Sequence, residues 1–261
     1  MDTMKANGNE PTEIFWTGGW DSTFQVLRLL LERNRRVRPY YLIDASRSST
    51  LLEIQAMDSI RASLFREFTW TRERLEPTQF CSVADIPQDE EIARAFQMIR
   101  ARRHMGGQYD WLARFCKHRN LSGVELSILQ NERANADHFC LRAYMSEADE
   151  AGDHAWRIAP RYAHTPEYRL FRYYTFPLFG FGKMDMRNIV ASKGWDPFMN
   201  STWFCHRPGR RRQPCGTCNP CLMTFREGMG YRMSPLSRLK ARIAGEFVAP
   251  LRKKARDMLT S

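Results

Sequence analysis

Apolar positions arrive along this chain in two rhythms, short continuous runs and helical stripes, and the two alternate. Residues 14–17 (Ile-Phe-Trp-Thr) form a short apolar run that reads as a buried strand. Residues 22–33 follow, with Phe24, Leu27 and Leu31 spaced to share one helical face, and Asn34 ends that helix in a basic turn. A second apolar run, residues 37–43, reads as another strand. Strand, helix and strand in so short a span make a right-handed βαβ crossover, so a parallel sheet is expected here.

The alternation continues downstream. A helix is expected from near Ser48, with an amphipathic stretch at residues 51–64 in which Glu53 falls on a solvated face. After an irregular charged connection (residues 66–77) come a strand at 79–83 and a helix at 89–103, whose acidic start and basic end suit the helix dipole. Gly106-Gly107 stops that helix, another begins at Gln108-Tyr109, and residues 124–129 read as a buried strand. The signal then weakens. Asn131-Glu132-Arg133 follows the strand end, and a polar segment with Gly152 and Asp153 leads into residues 157–174, rich in Arg, Tyr and His. That mixture fits a strand edge with a solvated loop, or a surface on which single-stranded nucleic acid stacks. Residues 173–182 lead into a helix at 183–193, with Met186, Ile189 and Val190 on one face and Gly194 as its stop. Beyond Ser234-Pro235, residues 236–259 form a basic amphipathic stretch broken at Pro250, suited to packing on the domain or serving a partner.

Composition narrows the class. A chain of 261 residues with 43% hydrophobic residues supports one full α/β domain, expected at residues 1–200, and a small appendage at 201–261. The net charge of +11 points to a polyanionic or multiply phosphorylated partner, with nucleotide, RNA and DNA all compatible. Of seven cysteines, four cluster near the C-terminus while Cys81, Cys116 and Cys140 lie scattered, a pattern that fits a reducing cytosol and a metal better than a disulfide scaffold. Residues 1–13 are polar, with no apolar secretory core, and no apolar run approaches the roughly 18 residues of a membrane span. The expectation is a cytoplasmic protein without a membrane partner.

Candidate chemistry begins at Thr17-Gly18-Gly19-Trp20-Asp21-Ser22-Thr23. Two glycines let backbone N–H groups approach an anion, Ser22 and Thr23 add donors at a helix start, and Asp21 beside a phosphate makes sense with Mg²⁺ between them. No Gly-Lys-Ser/Thr follows, which excludes a Walker P-loop. The competing reading is an ordinary glycine turn with a capping acid. Ligands gather at the carboxyl ends of parallel strands, so Asp44, directly after the second strand, contacts adenosine or metal, or else caps the next helix. Gly106-Gly107-Gln108-Tyr109 is either the substrate end of that crevice or two helix caps. Lys183 sits in a first helical turn, where a cation opposes the dipole unless an anion lies nearby; it faces phosphate or is a flexible surface lysine.

Cys205-x9-Cys215-x2-Cys218-x2-Cys221, in a Gly/Pro-rich region at residues 208–220, supplies four thiolates for tetrahedral Zn²⁺. An iron–sulfur cluster takes the same ligands, a redox pair needs only two of them, and His206 adjoins one. Arg207, Arg210, Arg211, Arg212 and Arg226 form the densest basic patch, for phosphate or nucleic-acid contact or simply for solubility.

The N-terminal motif resembles the PP-loop of enzymes that split ATP to AMP and pyrophosphate, with Thr17 in place of the usual serine. Together with Pro177-Leu178, Lys183 before a helix, and Ser201-Thr202-Trp203-Phe204-Cys205 leading to Cys215, Cys218 and Cys221, the chain resembles the 7-cyano-7-deazaguanine synthase family of the queuosine precursor pathway. The resemblance implies an α/β fold, a doubly wound parallel sheet of the adenine nucleotide alpha hydrolase type, ending in a four-cysteine zinc knuckle and a helical tail. It implies an ATP-phosphate site formed by Thr17, Gly18, Gly19, Asp21 and Ser22, with Lys183 toward the same phosphates, and Zn²⁺ on Cys205, Cys215, Cys218 and Cys221. Position in the chain adds Trp20, Thr23 and Asp44 to the candidate nucleotide site, and Asp21, Ser22 and Lys183 are the catalytic candidates. Its reaction adenylates a carboxylated 7-deazaguanine with ATP and Mg²⁺, lets ammonia displace AMP, and dehydrates the amide to a nitrile. The family's substrate segments are replaced: Ala45-Ser46-Arg47-Ser48 and Gly106-Gly107-Gln108-Tyr109 stand in those neighbourhoods. Divergent relatives, some beside antiviral defence genes, are similar in this respect and imply transfer to a nucleic-acid or protein acceptor; a homodimer is also compatible. Two other readings stand beside this one: a tRNA-thiolating enzyme using Cys116 and Cys140 as sulfur carriers, and a non-catalytic zinc-stabilised nucleic-acid-binding module.

Overall fold

The computed structural model describes residues 10–103, 105–129, 141–150, 153–209 and 211–245. Asn131-Glu132-Arg133, Cys140, Gly152, Arg210, most of the N-terminal lead and the tail from residue 246 lie outside them. Strand β1 (Thr12–Phe15) pairs in parallel with β2 (Val37–Ile43), from Thr12↔Val37 to Phe15↔Tyr40. Strand β3 (Gln79–Ser82) lies outside β2, and β4 (Val124–Glu125) takes the other side of β1. A later strand, β7 (Tyr174–Thr175), adds beyond β4, giving the all-parallel order β3-β2-β1-β4-β7. The chain winds outward from β1 to β3 and then returns beside β1 to wind the other way. That reversal opens a crevice between the carboxyl ends of β1 and β4, the position where such sheets bind ligands.

Period-two alternation assigns the two sheet faces. Ile14, Trp16 and Tyr41 enter one core with α1 (Trp20–Leu27), α2 (Thr50–Glu67), α6 (Lys183–Lys193) and α7 (Asp196–Asn200). Phe15, Tyr40 and Leu42 enter the other with α3 (Glu90–Arg102), α4 (Gln108–His118) and α5 (Pro166–Phe171). The protein is thus α/β with a five-stranded parallel sheet between helices, as the apolar rhythm predicts. Phe24 holds α1 to its layer, edge-on to Phe181 and Trp195 at 6.1 Å each. Burying such a side chain contributes about 1.5–3 kcal/mol.

Local chemistry sets the helix ends. Helix α1 starts at Trp20, two residues earlier than the periodicity predicts, and finishes in a π-helical turn, Arg28–Glu32, where the Arg33 N–H reaches the Arg28 carbonyl at 3.0 Å. Asn34 then reverses the chain at φ 52°. Asp89 accepts the Ile92 N–H at 3.0 Å and caps α3, and Thr165 caps α5 with Pro166 in its first turn.

Two stretches differ from expectation. Residues 124–129 contribute only Val124–Glu125 to the ladder, because the Ile128 N–H turns back to the Leu126 carbonyl at 2.8 Å and leads the chain away from the sheet. The weak region contains an antiparallel hairpin, β5 (Met145–Glu150) and β6 (Asp153–Ile158). It is joined to the sheet's β7 side by the Phe176 N–H bonded to the Trp156 carbonyl at 2.9 Å, so an edge that would otherwise lie open is covered. Phe171, Tyr173 and Tyr174 are buried in the core with Leu170, so these three rings are spent on packing and offer no stacking platform for bases.

A third, small cluster gathers Cys205, Cys221, Met233 and Ala241 around α8 (Asn219–Arg226) and α9 (Pro235–Ile243). Among the described residues, no helix is long and apolar enough to cross a membrane.

Candidate functional site

At the carboxyl end of β1 the chain turns at Gly18 with φ +65°. A Cβ there would sit 2.7 Å from the Glu53 carbonyl oxygen and 3.1 Å from Met57 Cγ, so only glycine fits both the backbone conformation and the space. Gly19 occupies the N-cap of α1 without a capping side chain. Thr17 Oγ1 and Ser22 Oγ stand 3.3 Å apart across the turn, and the Thr17 N–H donates to Ser22 Oγ at 3.3 Å. An uncapped helix start flanked by two hydroxyls presents donors and positive dipole to the crevice, which suits an anion.

Lys183, the first residue of α6, donates through Nζ to Asp21 Oδ1; the two side chains are 22% and 33% exposed. The lysine that sequence placed on phosphate or on free surface therefore meets the aspartate of the glycine turn, 162 positions away. Asp185 accepts the Gly182 N–H at 2.9 Å and fixes the start of α6. Glu227, the residue after α8, also faces this pair. Burial raises its pKa above the ordinary glutamate value, with Lys183 pulling against that rise and Asp21 adding to it.

These groups line a crevice of about 2160 Å³. Small-molecule sites fill roughly 300–1,000 Å³, so there is room for a nucleotide-sized ligand together with a second substrate. Its walls carry the cations Arg47, Arg102, Arg103, Lys183, Arg226 and Arg232 against the carboxylates Asp21, Glu53, Asp185 and Glu227. Gln108, Tyr109 and Trp111 of α4 line it too, while Gly107 sits at that helix's N-cap. Tyr109 packs 5.4 Å from Phe171, and burial pushes its pKa up to about 12.

Glu53 corrects an expectation. It lies on the buried face of α2 and not on a solvated one, accepting the Tyr41 hydroxyl at 2.8 Å, the Ser49 hydroxyl at 2.7 Å and an Arg47 Nη2 at 2.9 Å. The cluster ties β2 to the start of α2, the helix whose backbone forms the floor under Gly18. Burial, followed by Glu53, holds the Tyr41 pKa well above the phenol range.

Of the sequence-derived site residues, the structure brings Thr17, Gly19, Trp20, Asp21, Ser22 and Lys183 to the crevice wall, with Gly18 shaping the turn behind them. Thr23 points elsewhere: its hydroxyl accepts the Trp16 indole N–H at 3.0 Å inside the core. Asp44 is occupied in its own turn, accepting Ser46 N–H at 2.9 Å and Ser46 Oγ at 2.6 Å, and is not among the lining residues. Cys116 is fully buried, with its thiol pKa raised by that burial, which leaves it unsuited to carrying sulfur to a substrate.

The ligating atoms of Cys205, Cys215, Cys218 and Cys221 all lie within 4.8 Å of one another. The Cys205–Cys218 and Cys215–Cys221 sulfurs are 3.8 and 3.9 Å apart. A tetrahedron with metal–sulfur bonds of about 2.3 Å has edges of about 3.8 Å, so the cluster fits a single ion such as zinc; a multi-iron cluster would stand between its thiolates and spread them further. Backbone N–H groups turn inward as well. Cys205 Sγ accepts from Cys215 at 3.2 Å, and Cys215 Sγ from Thr217 and Cys218 at 3.4 and 3.3 Å. Burial works against the Cys215 thiolate, but these N–H bonds outweigh it and hold the pKa below the ordinary thiol value. Gly216, at φ +81°, lets Ser237 of α9 close over the loop.

The metal segment also forms one wall of the crevice. The Trp203 N–H donates to the Gly18 carbonyl at 2.9 Å, and Ser48 Oγ donates to the His206 carbonyl at 3.0 Å. Trp203, Phe204 and His206, flanking Cys205, line the cavity; burial and Arg47 lower the His206 pKa below the ordinary imidazole value.

No family model, curated protein or solved structure matches this chain.

Sequence reasoning missed Glu53, Glu227, and the lining roles of Trp203, Phe204 and Arg232. For Glu53 a signal was present in Ser49, one helical turn before it. The other four owe their place to long-range packing of the cysteine segment.

Proposed function

We propose that this chain is an ATP-dependent adenylating enzyme, a divergent PP-loop ATP pyrophosphatase similar to 7-cyano-7-deazaguanine synthase, acting on a carboxylate borne by a 7-deazaguanine-type ring. One observation carries the reading: the Gly18–Gly19 turn, with the Thr17 and Ser22 hydroxyls and the open start of α1, sits at the switch point of a parallel sheet and opens into the large crevice. The absence of a capping side chain on α1 and the paired Thr17 and Ser22 hydroxyls beside it fit a polyphosphate.

An unactivated carboxylate is a poor electrophile, and joining it to the α-phosphorus of ATP makes AMP its leaving group. In this reading the N–H groups and hydroxyls of residues 17–22 hold the phosphates, and Lys183 exchanges Asp21 for phosphate oxygens when ATP enters. Asp21, then free, would hold Mg²⁺, which supplies charge neutralisation on the leaving pyrophosphate. The aromatic and basic wall of Tyr109, Trp111, Arg102 and Arg103 takes the second substrate. Zinc on the four cysteines, a closed shell, would supply structure and not chemistry.

The test is release of AMP and pyrophosphate from ATP across a panel of heteroaromatic carboxylic acids that includes 7-carboxy-7-deazaguanine. Acid-dependent release by the full chain, lost in Asp21→Ala, is expected. Failure to bind ATP at all, or to form AMP with any acid, would end the proposal.

A further inference from the structure

Arg232 ends the short turn Gly230–Arg232 between α8 and α9. Its guanidinium lies 5.3 Å from the Trp20 ring centre and 5.0 Å from that of Phe204. Nη2 donates to the Thr202 carbonyl at 2.5 Å and to Thr202 Oγ1 at 2.6 Å. Among the described residues, Nε and Nη1 have no acceptor and no carboxylate pairs with the group. Burial pulls its pKa down to about 10, so it remains charged at neutral pH.

Removing a charged guanidinium from water without a carboxylate is costly, and two aromatic faces return only part of that cost. The other half-buried cations of the crevice are matched: Lys183 by Asp21, Arg47 by Glu53. Beside Arg232 stands a second unmet donor, the buried indole N–H of Trp20, which has no acceptor either. Trp20 is the first residue of α1 and so belongs to the glycine turn itself. An unpaired guanidinium edge on the wall of a crevice, beside an indole N–H that lacks an acceptor, specifies what is missing there, an anion.

We propose that Arg232 is the pyrophosphate-recognition residue of the crevice, presenting its unpaired Nε–Nη1 edge as a fork to the phosphate chain of the nucleotide. This rests on the nucleotide reading above and extends it, because the recognition comes from the cysteine-bearing segment and not from the glycine turn. A guanidinium presents two parallel N–H bonds to a phosphate, which an ammonium cannot do, and the ring stack and Thr202 hold it ready before the ligand arrives.

Titration calorimetry of the full, metal-loaded chain with inorganic pyrophosphate, ATP and AMP tests the assignment. In Arg232→Gln, affinity for pyrophosphate and ATP is expected to fall at least tenfold while AMP affinity stays within twofold. In Arg232→Lys, which keeps the charge but not the fork, a loss of at least threefold is expected. Metal content and thermal midpoint identify the variants that fold. Pyrophosphate binding equal to wild type in either folded variant overturns the proposal, as does wild-type protein that binds AMP but not pyrophosphate. Wild-type protein that binds none of the three instead overturns the nucleotide reading, and this inference with it.

Discussion

The N–H of Trp203 donates to the carbonyl of Gly18 across 2.9 Å, joining the segment that carries four clustered cysteines to the turn that opens the crevice. Two residues beyond Trp203 lies Cys205, so whatever holds the thiolates also holds one wall of the glycine turn.

Metal removal is therefore expected to act on ligand binding as well as on stability. A closed four-thiolate site contributes on the order of 10 kcal/mol of apparent binding energy, enough to hold its segment folded. Elemental analysis should find one zinc per chain. Chelation, or Cys218→Ser, should lower the thermal midpoint and cut ATP affinity at least tenfold. Undiminished ATP binding by metal-free protein would show that the Trp203–Gly18 link is dispensable.

Gly18→Ala places a Cβ against the Glu53 carbonyl in a left-handed backbone conformation. The conformation alone costs about 1–2 kcal/mol, and the contact adds to it. Denaturant unfolding should register that loss, and ATP binding should vanish.

Asp21→Asn separates chemistry from stability. The Asp21–Lys183 pair is partly exposed, and such pairs are worth about 0–1 kcal/mol. The variant should unfold within about 1 kcal/mol of wild type, while acid-dependent pyrophosphate release falls at least a hundredfold. A large stability loss would mark the pair as structural.

Glu53→Ala strands the Tyr41 hydroxyl and the Arg47 guanidinium around a buried gap. Breaking a buried charged cluster on one side costs on the order of 3 kcal/mol, and chemical denaturation should find it. Were Glu53 on a solvated face, the substitution would be nearly silent.

Glu227 gives a pH signature. Its folded pKa is raised above the ordinary 4.5, so its stabilising contribution is complete below that value and is lost as pH rises through the folded pKa. Glu227→Gln stays neutral throughout. It should be more stable than wild type at neutral pH and converge with it below pH 4.5, which thermal melts across pH would reveal.

Much of the fold was legible because burial imposes period on sequence. The run at residues 37–43 became β2, the run at 14–17 overlaps the end of β1, which starts two residues earlier at Thr12, and the stripe of Phe24 with Leu27 became a core face. Cysteine spacing likewise foretold four sulfurs at single-ion distances, since short loops leave few alternatives. The β5–β6 hairpin escaped notice because its polar residues carry no alternation strong enough to separate it from a loop. Glu53 was misplaced for a related reason: α2 is only weakly amphipathic, and a glutamate reads as solvated until Tyr41 and Arg47 are known to stand beside it.

By itself the sequence determined the glycine turn, the parallel β1–β2 crossover and the thiolate cluster, each built from residues close in the chain whose short-range geometry leaves little choice. Tertiary structure alone decided that Lys183 meets Asp21, that Glu53 is buried, and that Arg232 lies between Trp20 and Phe204 with an edge unpaired. Those relationships join residues far apart in the chain. They exist only once packing has removed water from between them, and no local pattern of residue types encodes which distant surfaces will share that exclusion.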